Sequence, residues 1–290
     1  MSVSSPPPIP SPAAAVADVS PCIAPALARY PSLRDKAVFI TGGGTGIGAA
    51  MVQAFADQGA RVAFIDIDGQ ACAALAATLT AGQPATSGAA AGPSATPSLW
   101  WRACDVRDVA ALQAAVHDAA LTLGDFSVLV NNVARDDRHT LEDMTPALWD
   151  DRMAVNQRPA YFAIQAAVPG MRRQGGGAVI NLGSTGWQTK AGGYPVYAVA
   201  KSSVNGLTRG LAAALGADRI RINTVSPGWV MTARQKALWL DAQGEADIQR
   251  NQCLPDKLQP SDVARMVLFL ASDDGAMCTA QEFKVDAGWN

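Results

Sequence analysis

The sequence predicts an α/β protein: one doubly wound domain built on a parallel sheet. Three observations predict it. Short runs alternate with helical patterns, and each run is near-continuously apolar, as strands covered on both faces must be. A glycine-rich turn, Thr41-Gly-Gly-Gly-Thr-Gly-Ile-Gly48, follows the first run and opens a helix. No second composition regime divides the rest of the chain.

Taken in order, Lys36 to Ile40 is the first strand, and an Ala-rich helix runs from the glycine turn to about Gln58. Arg61 to Asp66 is the second strand and Asp68 to Thr80 the second helix. Strands follow at Leu99 to Cys104, Phe126 to Asn131, Ala178 to Gly183 and Arg219 to Val225, with a last short one at Glu282 to Val285. Helices are expected over Val109 to Leu123, from Pro146 towards Gln174, over Tyr194 to Leu215 and over Ser261 to Ala271. Proline suits a first helical turn, which places Pro146, and Pro260-Ser261-Asp262 supplies capping chemistry. Pro159 has no N–H for the Val155 carbonyl, and its ring crowds that turn, so the long helix kinks beside Asn156.

Residues 1–30 are rich in Pro, Ser and Ala and bury too little to become ordered, which predicts a disordered tail before a domain spanning 31–290. Residues 81–98, uncharged and rich in Ala, Gly, Pro, Ser and Thr, read as a low-complexity insertion. Residues 231–258, with Trp, Leu, Gln and charges, read as a lid over a site.

Composition narrows the function. The chain has 290 residues, 49% hydrophobic and 17% charged, enough for a substantial core. A net charge of −2 gives no electrostatic grip on nucleic acid or anionic membrane. No apolar run reaches the roughly 20 residues of a membrane span. Five scattered cysteines without a C-x-x-C pair argue against a disulfide framework or a zinc site and fit a reducing cytoplasm. The only histidines, His117 and His139, exclude a histidine-rich metal centre. No metal is expected.

The glycine turn has the context that gives it meaning, after a strand and before a helix. Gly42, Gly46 and Gly48 let the backbone approach phosphate oxygens, and the helix N-terminus favours a diphosphate. Asp66 ends the next strand, eighteen residues beyond Gly48. A carboxylate there accepts from the adenosine ribose hydroxyls and repels a 2′-phosphate, which predicts NAD over NADP. The competing role for Asp66 is a helix N-cap, which Asp68 also offers. Asp105 closes the third strand, to meet the adenine or to cap, with Asp108 the better cap. Asn131 and Asn132 end the fourth strand, beside the adenosine ribose.

Tyr197 and Lys201 are spaced i, i+4, which puts both on one helical face, about 5–6 Å apart at Cβ. A phenol is a poor base at neutral pH, and a nearby ammonium favours its ionised form. Ser184, thirteen residues upstream, is placed to hold the oxygen that gains or loses a proton.

Jointly the glycine turn, Asn131-Asn132, Asn156, Ser184, Tyr197…Lys201 and Pro227-Gly228 resemble the short-chain dehydrogenase/reductase family, in order and spacing, over about Leu33 to Asn290. The resemblance implies a Rossmann-like fold with a seven-stranded sheet in a homotetramer or homodimer. It implies Tyr197 as acid/base, Lys201 lowering its pKa and holding the nicotinamide ribose, Ser184 orienting the substrate oxygen and Asn156 anchoring the water of a proton relay. Cofactor contacts are implied for Gly42, Thr45, Gly46, Ile47, Gly48, Asp66, Ile67, Asp105, Val106, Asn131 and Val133. Further ones are implied for Tyr197, Lys201, Pro227, Gly228, Val230 and Thr232. One departure is Ala134, where the family has glycine close to the cofactor.

Other stretches, among them Asp136-Asp-Arg-His139 and Asp286-Ala-Gly-Trp289, are similar to bacterial NAD-dependent D-xylose 1-dehydrogenases and related aldose dehydrogenases. That subgroup implies oxidation of a cyclic sugar at its anomeric carbon to an aldonolactone. A pyranose needs hydroxyl partners and a flat aromatic surface. Trp187, Trp229 and Trp289 are candidates for the surface, with core packing as the competing role for each. Asp137 and His139 are candidates for the hydroxyls, beside Ser184 and Tyr197, and a solvated charged loop is the competing reading. Gln188, Gln235 and Trp239 are candidates for the rim. Two alternatives stay open: a dehydrogenase or reductase of another secondary alcohol or ketone, of 3-oxoacyl or cyclic diol type, and a nucleotide-sensing scaffold without chemistry.

Overall fold

The computed structural model describes residues 28–81, 98–190 and 192–289. The expected tail and the insertion lie outside these residues, apart from their ends. Ala28 and Tyr30 already belong to the fold: the Gln58 amide donates to the Ala28 carbonyl and accepts from the Tyr30 N–H, both at 2.8 Å.

Among the described residues seven strands form one sheet. They are β1 (Ala37–Thr41), β2 (Arg61–Asp66), β3 (Leu99–Ala103), β4 (Val128–Asn131), β5 (Gly177–Leu182), β6 (Ile220–Pro227) and β7 (Glu282–Val285). Their order is β3-β2-β1-β4-β5-β6-β7, and every neighbouring pair is parallel. The helices are α1 (Gly46–Asp57), α2 (Gly69–Ala81), α3 (Val109–Leu123), α4 (Pro146–Asn156), α5 (Arg158–Arg173), α6 (Pro195–Gly216), α7 (Ala233–Leu238), α8 (Ala242–Asn251) and α9 (Pro260–Ala271).

All five residues of β1 are buried, because helices cover both faces of the sheet. Side chains alternate along the strand. Val38 and Ile40 join a cluster with Met51 and Phe55 of α1 and Val267 of α9. Phe39 joins the opposite cluster, with Leu112 of α3 and Ala163 of α5, and meets Phe126 edge-on at 5.3 Å between ring centres. The result is a Rossmann-like doubly wound fold. The order of strands reverses between β1 and β4, and the crevice beyond their carboxyl ends is where such sheets bind ligands.

The long helix expected from Pro146 is two helices. α4 stops at Asn156, Gln157 leaves helical geometry at φ −127°, and α5 restarts at Arg158 with Pro159 in its first turn. The segment 231–258 contains two helices, α7 and α8, that its sequence pattern did not announce. Its ends are joined by a hydrogen bond from the Met231 N–H to the Leu258 carbonyl at 2.8 Å.

Candidate active site

A cavity of about 460 Å³ lies beyond the carboxyl ends of β4, β5 and β6. The start of α1 contributes Ile47, and the segment after β6 contributes Gly228, Trp229, Val230 and Thr232, with Pro227 at the end of the strand itself. Ser184, Tyr197 and Lys201 stand on the same wall.

The glycine turn fits a diphosphate. A Cβ on Gly48 would sit 1.7 Å from the carbonyl oxygen of Gly42, so only glycine allows the first turn of α1 to lie this close to β1. Gly42 itself has φ +67°, which favours glycine. The Gly43 N–H donates to the Ile65 carbonyl, and the Asn132 amide donates to the Gly42 carbonyl at 2.8 Å, so β2 and β4 hold the turn from both sides. Thr45 is exposed at the N-cap of α1, and a Cβ on Gly46 would come within 3.2 Å of Thr232 Cγ2, so the base of the lid segment lies against the turn.

Asp66 is next to the turn. Its Oδ2 accepts from the Gly44 N–H at 2.9 Å and its Oδ1 from the Asp68 N–H at 3.1 Å, while Asp68 caps α2 through the N–H groups of Gln70 and Ala71. Ile67 is 68% exposed beside it. The Asp105 carboxylate lies against Arg107 at 2.6 Å, which holds it below the usual carboxylate range. Val106 is buried, and Asp108, not Asp105, caps α3. Asn131 turns its amide to Asn181 at 2.8 Å, and its Oδ1 has no partner. It lines a second, small cavity of about 20 Å³ with Val133, Asn156 and Lys201. That volume holds about one water. The Asn156 amide is committed to backbone: it accepts from the Arg135 N–H at 2.7 Å and donates to the Arg135 and Arg152 carbonyls. Ala134 is exposed on the wall of the large cavity, so its extra methyl meets open space.

Tyr197 is half-buried on the cavity wall, and desolvation there pushes its phenol up to about 12, with a hydrogen bond to Ser184 opposing the shift. The sequence led to the opposite direction, from the Lys201 charge. Desolvation is the largest cause here. Lys201 is itself lowered to about 8 by burial, and its Nζ donates to the Leu182 carbonyl at 2.7 Å. The Ser184 hydroxyl also accepts from the Gly186 N–H at 3.0 Å, which fixes its rotamer.

Three substrate candidates are not on the cavity wall. His139 is buried: its Nε2 accepts from the Val196 N–H at 3.3 Å, and its Nδ1 lies 3.2 Å from the Asp137 carbonyl. The first N–H groups of a helix need acceptors, and Tyr194 at the N-cap of α6 provides none, so His139 serves the helix instead. Asp137 is engaged by Arg135, Arg152 and Arg234 at 2.7–3.0 Å. Trp187 is 37% exposed to one side. The neighbours Asp136 and Arg138 line the cavity instead, with Trp229, Gln235 and Trp289. Arg138 stacks between the rings of Tyr194 and Trp239, at 4.3 and 4.4 Å. Gln188 is tied to Glu282 at 3.3 Å.

Among the described residues no cluster of His, Cys, Asp and Glu is arranged to hold a metal, and no helix is long and apolar enough to cross a membrane.

Residues 42–290 match a family model described as enoyl-(acyl carrier protein) reductase. The D-xylose 1-dehydrogenase of Caulobacter vibrioides is 46% identical over 262 residues, covering 90% of this chain and 98% of that protein. A probable galactose dehydrogenase of Rhizobium meliloti is 44% identical over 260 residues, covering 90% and 97%. Among solved structures, a short-chain dehydrogenase/reductase of Serratia marcescens superposes with a TM-score of 0.78 at 31% identity, over 89% of this chain and 98% of that one. A 7α-hydroxysteroid dehydrogenase complexed with NADH and 7-oxo glycochenodeoxycholic acid does so at 0.80 and 27%, over 89% and 96%. With the glycine turn, the Ser184–Tyr197–Lys201 wall and this likeness over nine-tenths of its length, the chain belongs to the short-chain dehydrogenase/reductase family of oxidoreductases.

Proposed function

We propose that this enzyme oxidises an aldose, a pentose or hexose such as xylose, arabinose, galactose or fucose, at C1 to the aldonolactone with NAD. The observation that carries the reading is the single cavity that joins Tyr197 and Ser184 to Trp229 and Asp136. It brings an acid/base pair, an aromatic surface and a carboxylate into one cavity, and the last two are the kinds of group a sugar uses. The two sugar dehydrogenases at 44–46% identity support the substrate class.

NAD bound on the glycine turn supplies the hydride acceptor. Ser184 holds the anomeric hydroxyl, and Tyr197 Oη takes its proton as the C1–H bond breaks. Lys201 carries positive charge beside the phenol, and the small cavity that it lines with Asn156 has room for about one water of a proton relay. The Asp66 carboxylate beside Gly44 supports NAD over NADP, since a 2′-phosphate there would meet a like charge. The family resemblance supports a homotetramer or homodimer, and the scattered cysteines support a cytoplasmic setting.

Initial rates of NAD reduction over a panel of pentoses and hexoses test the reading. Turnover of at least one aldose is expected. Silence on every aldose, with turnover of a 3-oxoacyl thioester or a cyclic diol, would overturn it.

A further inference from the structure

Asp136, Gln235 and Trp229 form a hydrogen-bonded chain along the cavity wall. The Trp229 indole N–H donates to Gln235 Oε1 at 3.0 Å, and Gln235 Nε2 donates to Asp136 Oδ2 at 2.9 Å. An indole nitrogen can only donate, so the polarity of the chain is fixed: the amide oxygen of Gln235 faces Trp229, and its nitrogen faces Asp136. The chain therefore ends on an acceptor.

The supports of this chain are unusually complete for a loop residue. Gln235 is on α7, whose N-terminus Thr232 caps by accepting from the Gln235 N–H. Gly244 of α8 leaves room for the Trp229 ring, since a Cβ there would come within 2.7 Å of it. Trp289 meets Trp229 edge-on, with ring centres 6.3 Å apart. Arg138 and Arg234 each bring a guanidinium within 3.6 Å of the Asp136 carboxylate, which complements its charge. The Asp136 side chain keeps only 19% exposure, on the cavity wall.

A carboxylate so placed accepts hydrogen bonds and offers none. It favours a ligand group that donates at that point, as a sugar hydroxyl does. Resting on the aldose reading above, we propose that Asp136 is a specificity-determining residue: its carboxylate, aligned by Gln235 and Trp229, accepts from a substrate hydroxyl other than the one that Tyr197 deprotonates. The enzyme then reads a polyol by one fixed acceptor against the Trp229 surface.

The test compares wild type with Asp136→Asn on the preferred aldose and on its monodeoxy analogues, each lacking one hydroxyl. NAD binding, followed by protein fluorescence, serves as the control for folding. Asparagine keeps the shape and replaces one acceptor oxygen with a donor. Wild type is expected to lose about 10–100-fold in kcat/KM on one of the analogues, and Asp136→Asn to lose a similar factor on the parent sugar and be indifferent to that analogue. Gln235→Leu should show the same pattern to a smaller degree, and it carries the test alone if Asp136→Asn does not bind NAD. The proposal is overturned if the variants distinguish the parent sugar from every analogue as wild type does, because a merely structural role would lower all rates together. Wild type inactive on all aldoses would instead overturn the aldose reading, and this inference with it.

Discussion

Lys201 Nζ donates to the Leu182 carbonyl at 2.7 Å and lies 5.9 Å from the centre of the Tyr197 ring. Leu182 ends β5, two residues before Ser184, so one buried amine ties the segment that carries the hydroxyl to the helix that carries the phenol. The ammonium thereby sets geometry as well as charge.

Tyr197→Phe removes the phenolic oxygen and leaves the ring. Turnover should fall by at least about 10²-fold, while NAD binding, measured by fluorescence titration, stays within about twofold. Retained turnover would take Tyr197 out of the chemistry.

The pH dependence has a defined sign. Burial places the phenol at about 12, so it holds its proton at neutral pH, and below that value its ionised fraction rises about tenfold per pH unit. Oxidation consumes the ionised form, so its rate should climb from neutral pH and flatten as Lys201, lowered to about 8 by burial, gives up the charge beside the phenol. Asp136 raises the phenol and Arg138 lowers it. Asp136→Asn should therefore move the rising limb to lower pH, and Arg138→Met should move it to higher pH. Initial rates from about pH 6 to about pH 10 read both shifts. Shifts in the same direction would assign the limb to another group.

Asp66→Ala removes the carboxylate beside Gly44. The ratio of kcat/KM for NAD to that for NADP should drop by about 10–100-fold, as hydrogen bonds to a charged acceptor are lost and like-charge repulsion ends. An unchanged ratio would place cofactor selection elsewhere.

Gly48→Ala puts a methyl group where the Gly42 carbonyl stands. The turn must open to admit it, so the melting temperature should fall and NAD should no longer raise it. Thermal unfolding with and without NAD measures both effects. A variant stabilised by NAD as wild type is would show that the turn tolerates the change.

Much of this architecture was legible in the sequence. The strands were legible because burial on both faces demands unbroken apolar runs such as Val38-Phe39-Ile40. The break at Gln157 was legible because Pro159 removes a donor whatever surrounds it. Tyr197 and Lys201 were legible as a pair because helix geometry alone puts them on one face. The cavity wall around Asp136 was not legible. Asp136, Asp137, Arg138 and His139 are consecutive in an irregular segment, and no periodicity says which of them faces inward. Their directions depend on partners far away in sequence: Gln235 draws Asp136, Arg152 draws Asp137, and the N-terminus of α6 draws His139. The pKa of Tyr197 was also beyond reach, because spacing shows the neighbouring charge but not the depth at which it lies.

β3 is the outermost strand beside β2, and none of its residues borders the large cavity. β3 therefore stands at the margin of the architecture. A side-chain label carried on β3 would report on the sheet from its edge while leaving the central strand pairings and the cavity wall untouched.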